Sequence, residues 1–295
     1  MRVAITGATG LLGGALAEAL AARGHQVLLL SRSREKSALP WSPRDGFESL
    51  DAFREFDALV HLAGESVAGR WTEEKKRRIR DSRVLSTKAL AEQIAGAPTP
   101  PKAFVCASAV GYYGDRGDEV LTEESPPGDG FLAQVGVEWE SAALEAGRSG
   151  VRVALLRTAV VLSEQGGALE VMARPFRFGL GAVLGSGKQF FPWVSLRDWV
   201  RLAVACVEED RWVGPVNMAS PNPVRNREFS LALGAALRRP VFLRAPAFVL
   251  RLMLGEMADE GLLASQRVVP KRALGNAFQF VDFDVRETLA HLFGP

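Results

Sequence analysis

The chain has 295 residues, 47% hydrophobic and 24% charged, an ordinary globular composition with length for one large domain or one and a half. A formal net charge of +2, with scattered arginines, gives no electrostatic case for nucleic acid. The two cysteines, Cys106 and Cys206, make neither a disulfide framework nor a zinc site, no apolar run reaches membrane-span length, and the N-terminus starts directly as a strand with no cleavable signal, so a cytoplasmic protein is expected. Arg2 to Thr6 reads as a short buried strand. Gly7, Gly10 and Gly13 follow at a spacing of three, and Gly14 to Arg23 reads as a helix. Strand, glycine turn and helix open a dinucleotide-binding fold. Gly7 permits the turn, Gly10 lets backbone approach a pyrophosphate, and Gly13 lets the helix sit close on the sheet. Thr9 and Leu11, inside the same turn, join them as expected cofactor contacts. A tight turn without ligand is the competing reading.

Gln26 to Leu30 is the second strand. It ends in Ser31-Arg32-Ser33-Arg34, with no acid to accept from a ribose 2′-hydroxyl. Ser31 and Arg32 suit a 2′-phosphate, which predicts NADP(H) over NAD(H). A solvated basic loop is the alternative. Residues 36–56 are polar, with a short third strand near Phe47. The fourth strand starts at Asp57 and exits through His61-Leu62-Ala63-Gly64, where backbone can come close to a ligand. His61 could be a base, but a locally bonded imidazole is preferred. Thr72, Glu73 and Glu74 start a helix that runs to Glu92. Arg80 and Arg83 share a face of it, and Arg83 is assigned to the cofactor phosphates, although each singly also fits solvent. The fifth strand, Ala103 to Ala107, exits through Ser108-Ala-Val-Gly111-Tyr112-Tyr113-Gly114. A hydroxyl and two phenols at a strand's carboxyl end make Ser108, Tyr113 and Tyr112 the catalytic candidates. Phe131 to Leu144 is a helix and Arg152 to Val161 the sixth strand.

The chain resembles the extended, epimerase-like branch of the short-chain dehydrogenase/reductase superfamily. The matching pieces are Gly7-x-x-Gly10-x-x-Gly13, Leu62-Ala-Gly64, Ser108, Tyr113-Gly114 and Asn217-Met-Ala-Ser220. It looks more narrowly like an atypical sugar-nucleotide-epimerase-like subgroup, also labelled cell-division-inhibitor-like. Ala63-Gly-Glu-Ser66, Arg80-Asp-Ser-Arg83, Ser108 to Gly114 and Gly187-Lys-Gln-Phe-Phe-Pro-Trp193 carry that likeness. The superfamily uses a Tyr with a Lys four residues on as its proton-transfer pair. Counting back from Glu140 places Leu132 and Gly136 there, and no lysine lies between Lys102 and Lys188. The usual warrant for alcohol–ketone chemistry is missing. A phenol would need a cation beside it, with Arg83 and Lys188 as candidates.

The last third contains glycine-rich stretches around Met172 to Arg177, then Lys188 to Trp193, read equally as a substrate wall with Arg177 or as a packed lid. Helices are expected at Asp198–Glu208, Arg227–Leu237 and Pro246–Gly255, an edge segment at Gln266–Arg272, a strand at Phe278–Phe283 and a final helix at Val285–Phe293. The expected fold is α/β: a Rossmann-type doubly wound parallel sheet (1–165 plus about 195–220) with a smaller C-terminal substrate or lid domain (166–194 and about 221–295). The expected function is NADP(H)-dependent, epimerase/dehydratase-like oxidoreduction of a small or nucleotide-linked carbonyl or hydroxyl substrate. A catalytically silent NADP(H)-binding regulator competes with it. No metal, nucleic-acid or membrane partner is expected, and a homodimer is left open.

Overall fold

The computed structural model describes residues 1–31 and 38–294. Arg32, expected at a 2′-phosphate, lies outside the described residues. Six parallel strands make the central sheet: β1 (Arg2–Thr6), β2 (Gln26–Leu30), β3 (Ala58–His61), β4 (Ala103–Ala109), β5 (Arg152–Thr158) and β6 (Gly214–Met218). Their order is β6-β5-β4-β3-β1-β2. The helices are α1 (Leu11–Ala22), α2 (Glu73–Gly96), α3 (Phe131–Leu144), α4 (Ala168–Arg177), α5 (Leu196–Glu208), α6 (Asn226–Ala236), α7 (Ala247–Leu254), α8 (Lys271–Gly275) and α9 (Val285–Phe293).

Strand alternation sorts the apolar residues between two faces. Val3 and Ile5 of β1 share a core with Leu16 and Leu20 of α1 and Trp199 and Leu202 of α5. Ala4 and Leu59 face the other core, with Leu90 and Ile94 of α2 and Trp139 and Ala143 of α3. Helices thus cover both faces, the doubly wound arrangement, which is why the strands read as nearly unbroken apolar runs. The chain leaves β1 for β2 on one side and returns to β3 on the other. A crevice opens at that reversal, outside the carboxyl ends of the strands. A third core joins Leu169 and Phe176 of α4, Phe229 and Leu233 of α6, Leu289 of α9 and Trp193.

Several local elements depart from expectation. The strand expected through Val161 breaks at Ala159, whose N–H goes to Met218 O; Val160–Leu162 pairs with Trp193–Ser195 instead. The third strand near Phe47 is a small hairpin, Trp41–Ser42 against Gly46–Phe47, outside the main sheet. The glycine-rich stretch hides α4, which contains Pro175. Phe278–Phe283 forms no strand. There the buried Asp198 carboxylate takes the N–H groups of Val281 (2.9 Å) and Asp282 (2.8 Å), donors a ladder would need. Among the described residues, no helix is long and apolar enough to cross a membrane.

Candidate functional site

Gly7 follows β1 with a φ of +71°, a left-handed turn that a side chain would strain. A Cβ there would lie 2.8 Å from the Leu62 carbonyl carbon and 2.9 Å from Ala63 N, so the turn rests directly on the exit of β3. A Cβ at Gly13 would lie 2.3 Å from Gly7 O, so any side chain would push α1 off the turn. Gly10 is the N-cap of α1 and offers no side-chain acceptor. The first amides of the helix, beside exposed Thr9 and half-buried Leu11, are therefore available to an anion. This uncapped terminus fits the diphosphate of a nicotinamide nucleotide.

Around the crevice, Thr6 Oγ1 is 2.7 Å from His61 Nδ1, and His61 Nε2 is 3.1 Å from Ser86 Oγ. The imidazole is bonded locally, and burial lowers its pKa to about 4. Gly64 leaves the approach to Arg83 open: a Cβ there would stand 3.5 Å from the guanidinium carbon. Arg83 Nη1 donates to Glu65 O (2.9 Å) and Ile79 O (3.1 Å), and the guanidinium lies 5.3 Å from the Trp139 ring centroid. Burial, opposed by Glu65, lowers its pKa to about 10. Arg80 turns away and pairs with Glu138 at 2.6 Å. Ser31, half-buried, follows directly on the carboxyl end of β2. The fold thus gathers the glycine turn, Ser31, Leu62 to Gly64, Arg83 and the exit of β4.

The three catalytic candidates sit on that edge, in a buried network. Ser108 Oγ donates to Glu140 Oε1 at 2.6 Å. Arg157 grips the same carboxylate with Nε (2.8 Å) and Nη2 (2.7 Å). Its Nη1 donates to Tyr113 OH (2.9 Å), which in turn donates to Asn217 Oδ1 (2.7 Å). The guanidinium also lies 3.6 Å from the centroid of the Tyr112 ring. Burial works against the charge on Arg157, but its bonds to Glu140 and Tyr113 outweigh it and raise its pKa. Tyr113 is fully buried, and burial pushes its phenol to about 12 despite Arg157. The Ser108 hydroxyl, expected on a substrate oxygen, is 3% exposed, whereas the next residue, Ala109, is exposed. Reading along the sequence missed Glu140 and Arg157. The available signal was an arginine inside an otherwise apolar strand, which must be paired if buried.

Leu132 and Gly136, at the superfamily's phenol and lysine positions, face the turn Val110–Tyr113. A Cβ at Gly111 would lie 3.1 Å from Leu132 Cβ, and one at Gly136 would lie 3.2 Å from Tyr112 Cα and Cβ. Tyr112 thus fills the space in which a lysine would begin. In front of Gly111 and Leu132 is a cavity of about 230 Å³, walled also by Asp115, Asp129, Arg251 and Glu260. Glu260 accepts from Phe131 N (2.9 Å) and Leu132 N (2.7 Å), Asp115 from Ser265 N (3.0 Å) and Gly117 N (3.3 Å). Asp259, also in the wall, accepts from Arg251 at 2.8 Å. Asp129 is the wall carboxylate with no side-chain partner among the described residues. The aromatic stretch follows the packed reading: Phe190 and Trp193 are buried, and Phe191 packs on Phe229 with ring centroids 4.3 Å apart and planes tilted by 38°. Among the described residues no group of three or more His, Cys, Asp or Glu could hold a metal ion. Both thiols are buried, and burial pushes that of Cys106 to about 12.

The family model described as NAD dependent epimerase/dehydratase matches residues 3–219, and a domain of unknown function, DUF1731, matches residues 245–292. Epimerase family protein ML0860 of Mycobacterium leprae is 42% identical over 98% of this chain and 94% of its own length. The human epimerase family protein SDR39U1 is 37% identical over 95% of each chain. A crystal structure of human SDR39U1 (isoform2) with NADPH superposes with a TM-score of 0.88, at 36% identity over 99% of each chain. The UDP-glucose 4-epimerase of Thermus thermophilus, in complex with NAD, shares the fold at 20% identity over 100% of this chain and 99% of its own, with a TM-score of 0.75.

Proposed function

The chain belongs to the NAD dependent epimerase/dehydratase family, and from that membership we propose that it is an NADP(H)-binding enzyme oxidising or reducing a small hydroxyl or carbonyl compound. The observation that carries the reading is the cavity of about 230 Å³ in front of Leu132. It lies below the roughly 300–1,000 Å³ of common ligand sites, which favours a small substrate over a nucleotide-linked one. The cofactor, when bound, exchanges a hydride with the substrate. Gly7, Thr9, Gly10, Leu11 and Gly13 hold its diphosphate on the α1 terminus, with Leu62 to Gly64 and Arg83 lining the crevice. The preference for NADP(H) rests on Ser31 and Arg32 and is supported by the NADPH in the human relative's structure. Residues 166–194 and about 221–295 serve as the substrate part, in keeping with the place of Arg251 to Gln266 in the cavity wall.

Asp129 takes the proton a substrate hydroxyl releases, or returns it, in place of the missing phenol–lysine pair. Ser108 and Tyr113, through Glu140, Arg157 and Asn217, brace the turn Val110–Tyr113, whose Gly111 lines the cavity. A second reading, an NADP(H)-binding regulator without turnover, is favoured by the same bonds, because they direct the Ser108 and Tyr113 protons inward. The test follows nicotinamide fluorescence while the NADPH-loaded protein meets a panel of small carbonyls, and the NADP⁺-loaded protein the matching alcohols. Turnover that Asp129→Asn abolishes without weakening NADPH binding supports the enzyme. No turnover across the panel gives the regulator, and no calorimetric binding of NADPH at millimolar concentration removes both.

A further inference from the structure

The walls of the cavity at Leu132 carry one cation, Arg251, against four carboxylates, Asp115, Asp129, Asp259 and Glu260. We propose that the molecule taken there carries a cationic amino group beside its hydroxyl or carbonyl, held by Gln266 and Asp115. The inference rests on the cavity being the substrate site, and it narrows the substrate to amino alcohols and amino carbonyls. The charge balance is the first support. Arg251 is engaged by Asp259 at 2.8 Å. Glu260 accepts from Phe131 N and Leu132 N at the start of α3, where the helix dipole offsets its charge. Asp115 and Asp129 have no cationic partner among the described residues. Two such carboxylates in one concavity repel an anionic ligand and attract a cation. Among the described residues no group of three or more His, Cys, Asp or Glu could hold a metal ion, which favours an organic cation.

The second support is Gln266, which lines the cavity and is 6% exposed. Its Nε2 donates to Val110 O (3.1 Å) and Gly114 O (3.0 Å). Those bonds fix the amide, because turning it over would set its oxygen against two carbonyl oxygens. Oε1 accepts no hydrogen bond among the described residues, so a buried acceptor is left for a donor that the ligand brings. Asp115 is built in the same way. Its Oδ1 accepts from Ser265 N (3.0 Å) and Gly117 N (3.3 Å), and its Oδ2 has no donor among the described residues. Arg116 N also donates to Ser265 O at 3.0 Å, so segments 114–116 and 265–266 are tied together. A free amide oxygen and a free carboxylate oxygen therefore belong to one wall. An ammonium group brings three donors and no acceptor, which suits such a wall. A carboxylate or phosphate would set acceptors against acceptors. Asp129 is left for the reacting hydroxyl.

The experiment compares three alcohols that differ in a single group: 1-amino-2-propanol, 1,2-propanediol and lactate. Each is titrated by calorimetry into the full-length protein loaded with NADPH, to which an alcohol cannot pass a hydride. The amine is expected to bind with a Kd below about 10 mM, at least about 10-fold more tightly than either of the others. Asp115→Asn keeps an oxygen for Ser265 N and Gly117 N but removes the charge. It should bring the preference for the amine below about 10-fold while leaving NADPH affinity and thermal unfolding unchanged. A weaker Kd for the amine, a preference below about 10-fold in the unaltered protein, or a preference that Asp115→Asn retains overturns the inference. Turnover by the NADP⁺-loaded protein is read separately. Amine preference without oxidation keeps this ligand class and removes the enzyme. Oxidation of the diol without amine preference keeps the enzyme and removes the amine.

Discussion

Arg157 is a charge held where water barely reaches, and its partners explain how. Its guanidinium satisfies the Glu140 carboxylate and the Tyr113 hydroxyl at once. Arg157→Leu leaves that carboxylate buried and unpaired, so it should cost about 3–5 kcal/mol in urea unfolding. Adding Glu140→Leu should recover much of the loss, because two apolar residues replace a pair rather than orphan a charge. His61 carries the opposite lesson, a buried group kept neutral. Its folded pKa of about 4 lies below the ordinary value of 6.5. As pH falls the unfolded chain takes up the proton first. His61 therefore contributes its full stability above about pH 6.5 and loses it as pH falls through about 4, a swing of about 3 kcal/mol. His61→Gln should flatten the urea midpoint against pH across that window. An unchanged slope would show that the carboxylates alone set the acid limit.

At the scale of elements, the packing of α3 on the turn Val110–Tyr113 decides which chemistry is open to the site. The contact is close because Gly111 and Gly136 lack side chains where Leu132 and Tyr112 approach. Leu132→Tyr/Gly136→Lys would restore the superfamily's pair in sequence, but the lysine would begin inside Tyr112. The double variant should therefore gain no turnover and lose about 1–3 kcal/mol by overpacking. Adding Tyr112→Ala should return most of that stability. If the double variant alone is as stable as the parent, Tyr112 does not occupy the space assigned to it.

At the scale of the molecule, the C-terminal residues close over an edge that the sheet leaves open. Glu260 reaches back to cap α3, and Gln266 Nε2 donates to Val110 O (3.1 Å) and Gly114 O (3.0 Å). Asn217 Nδ2, on β6, donates to Val269 O at 3.0 Å. The cavity in front of Leu132 is walled by both of these parts of the chain. Glu260→Ala removes a charged cap at two amides and should cost about 1–2 kcal/mol. It should also speed limited proteolysis near residues 246–266 while leaving NADPH affinity intact, since the glycine turn is elsewhere. Equal proteolysis rates would mean that the contact does not hold the C-terminal part in place.

The sheet, the glycine turn and the cap at Thr72 were legible in the sequence because their causes are local. A strand shows as an apolar run, a turn as a glycine spacing, a helix start as a hydroxyl before two acids. The strand expected at Phe278–Phe283 was misread for want of a partner: alternation shows a pleat, but Asp198, distant in sequence, took the donors. Ser108 illustrates the same limit at the site. Its place at the end of β4 follows from the sequence, but the direction of its hydroxyl depends on Glu140 and Arg157, which only the packing of α3 against β5 brings to it. The sequence by itself determined where a glycine turn opens an uncapped first helix, since covalent geometry and periodicity act over a few residues. Only the tertiary structure decided which side chains remain free for chemistry, because the pairing of buried polar groups is settled between segments far apart along the chain.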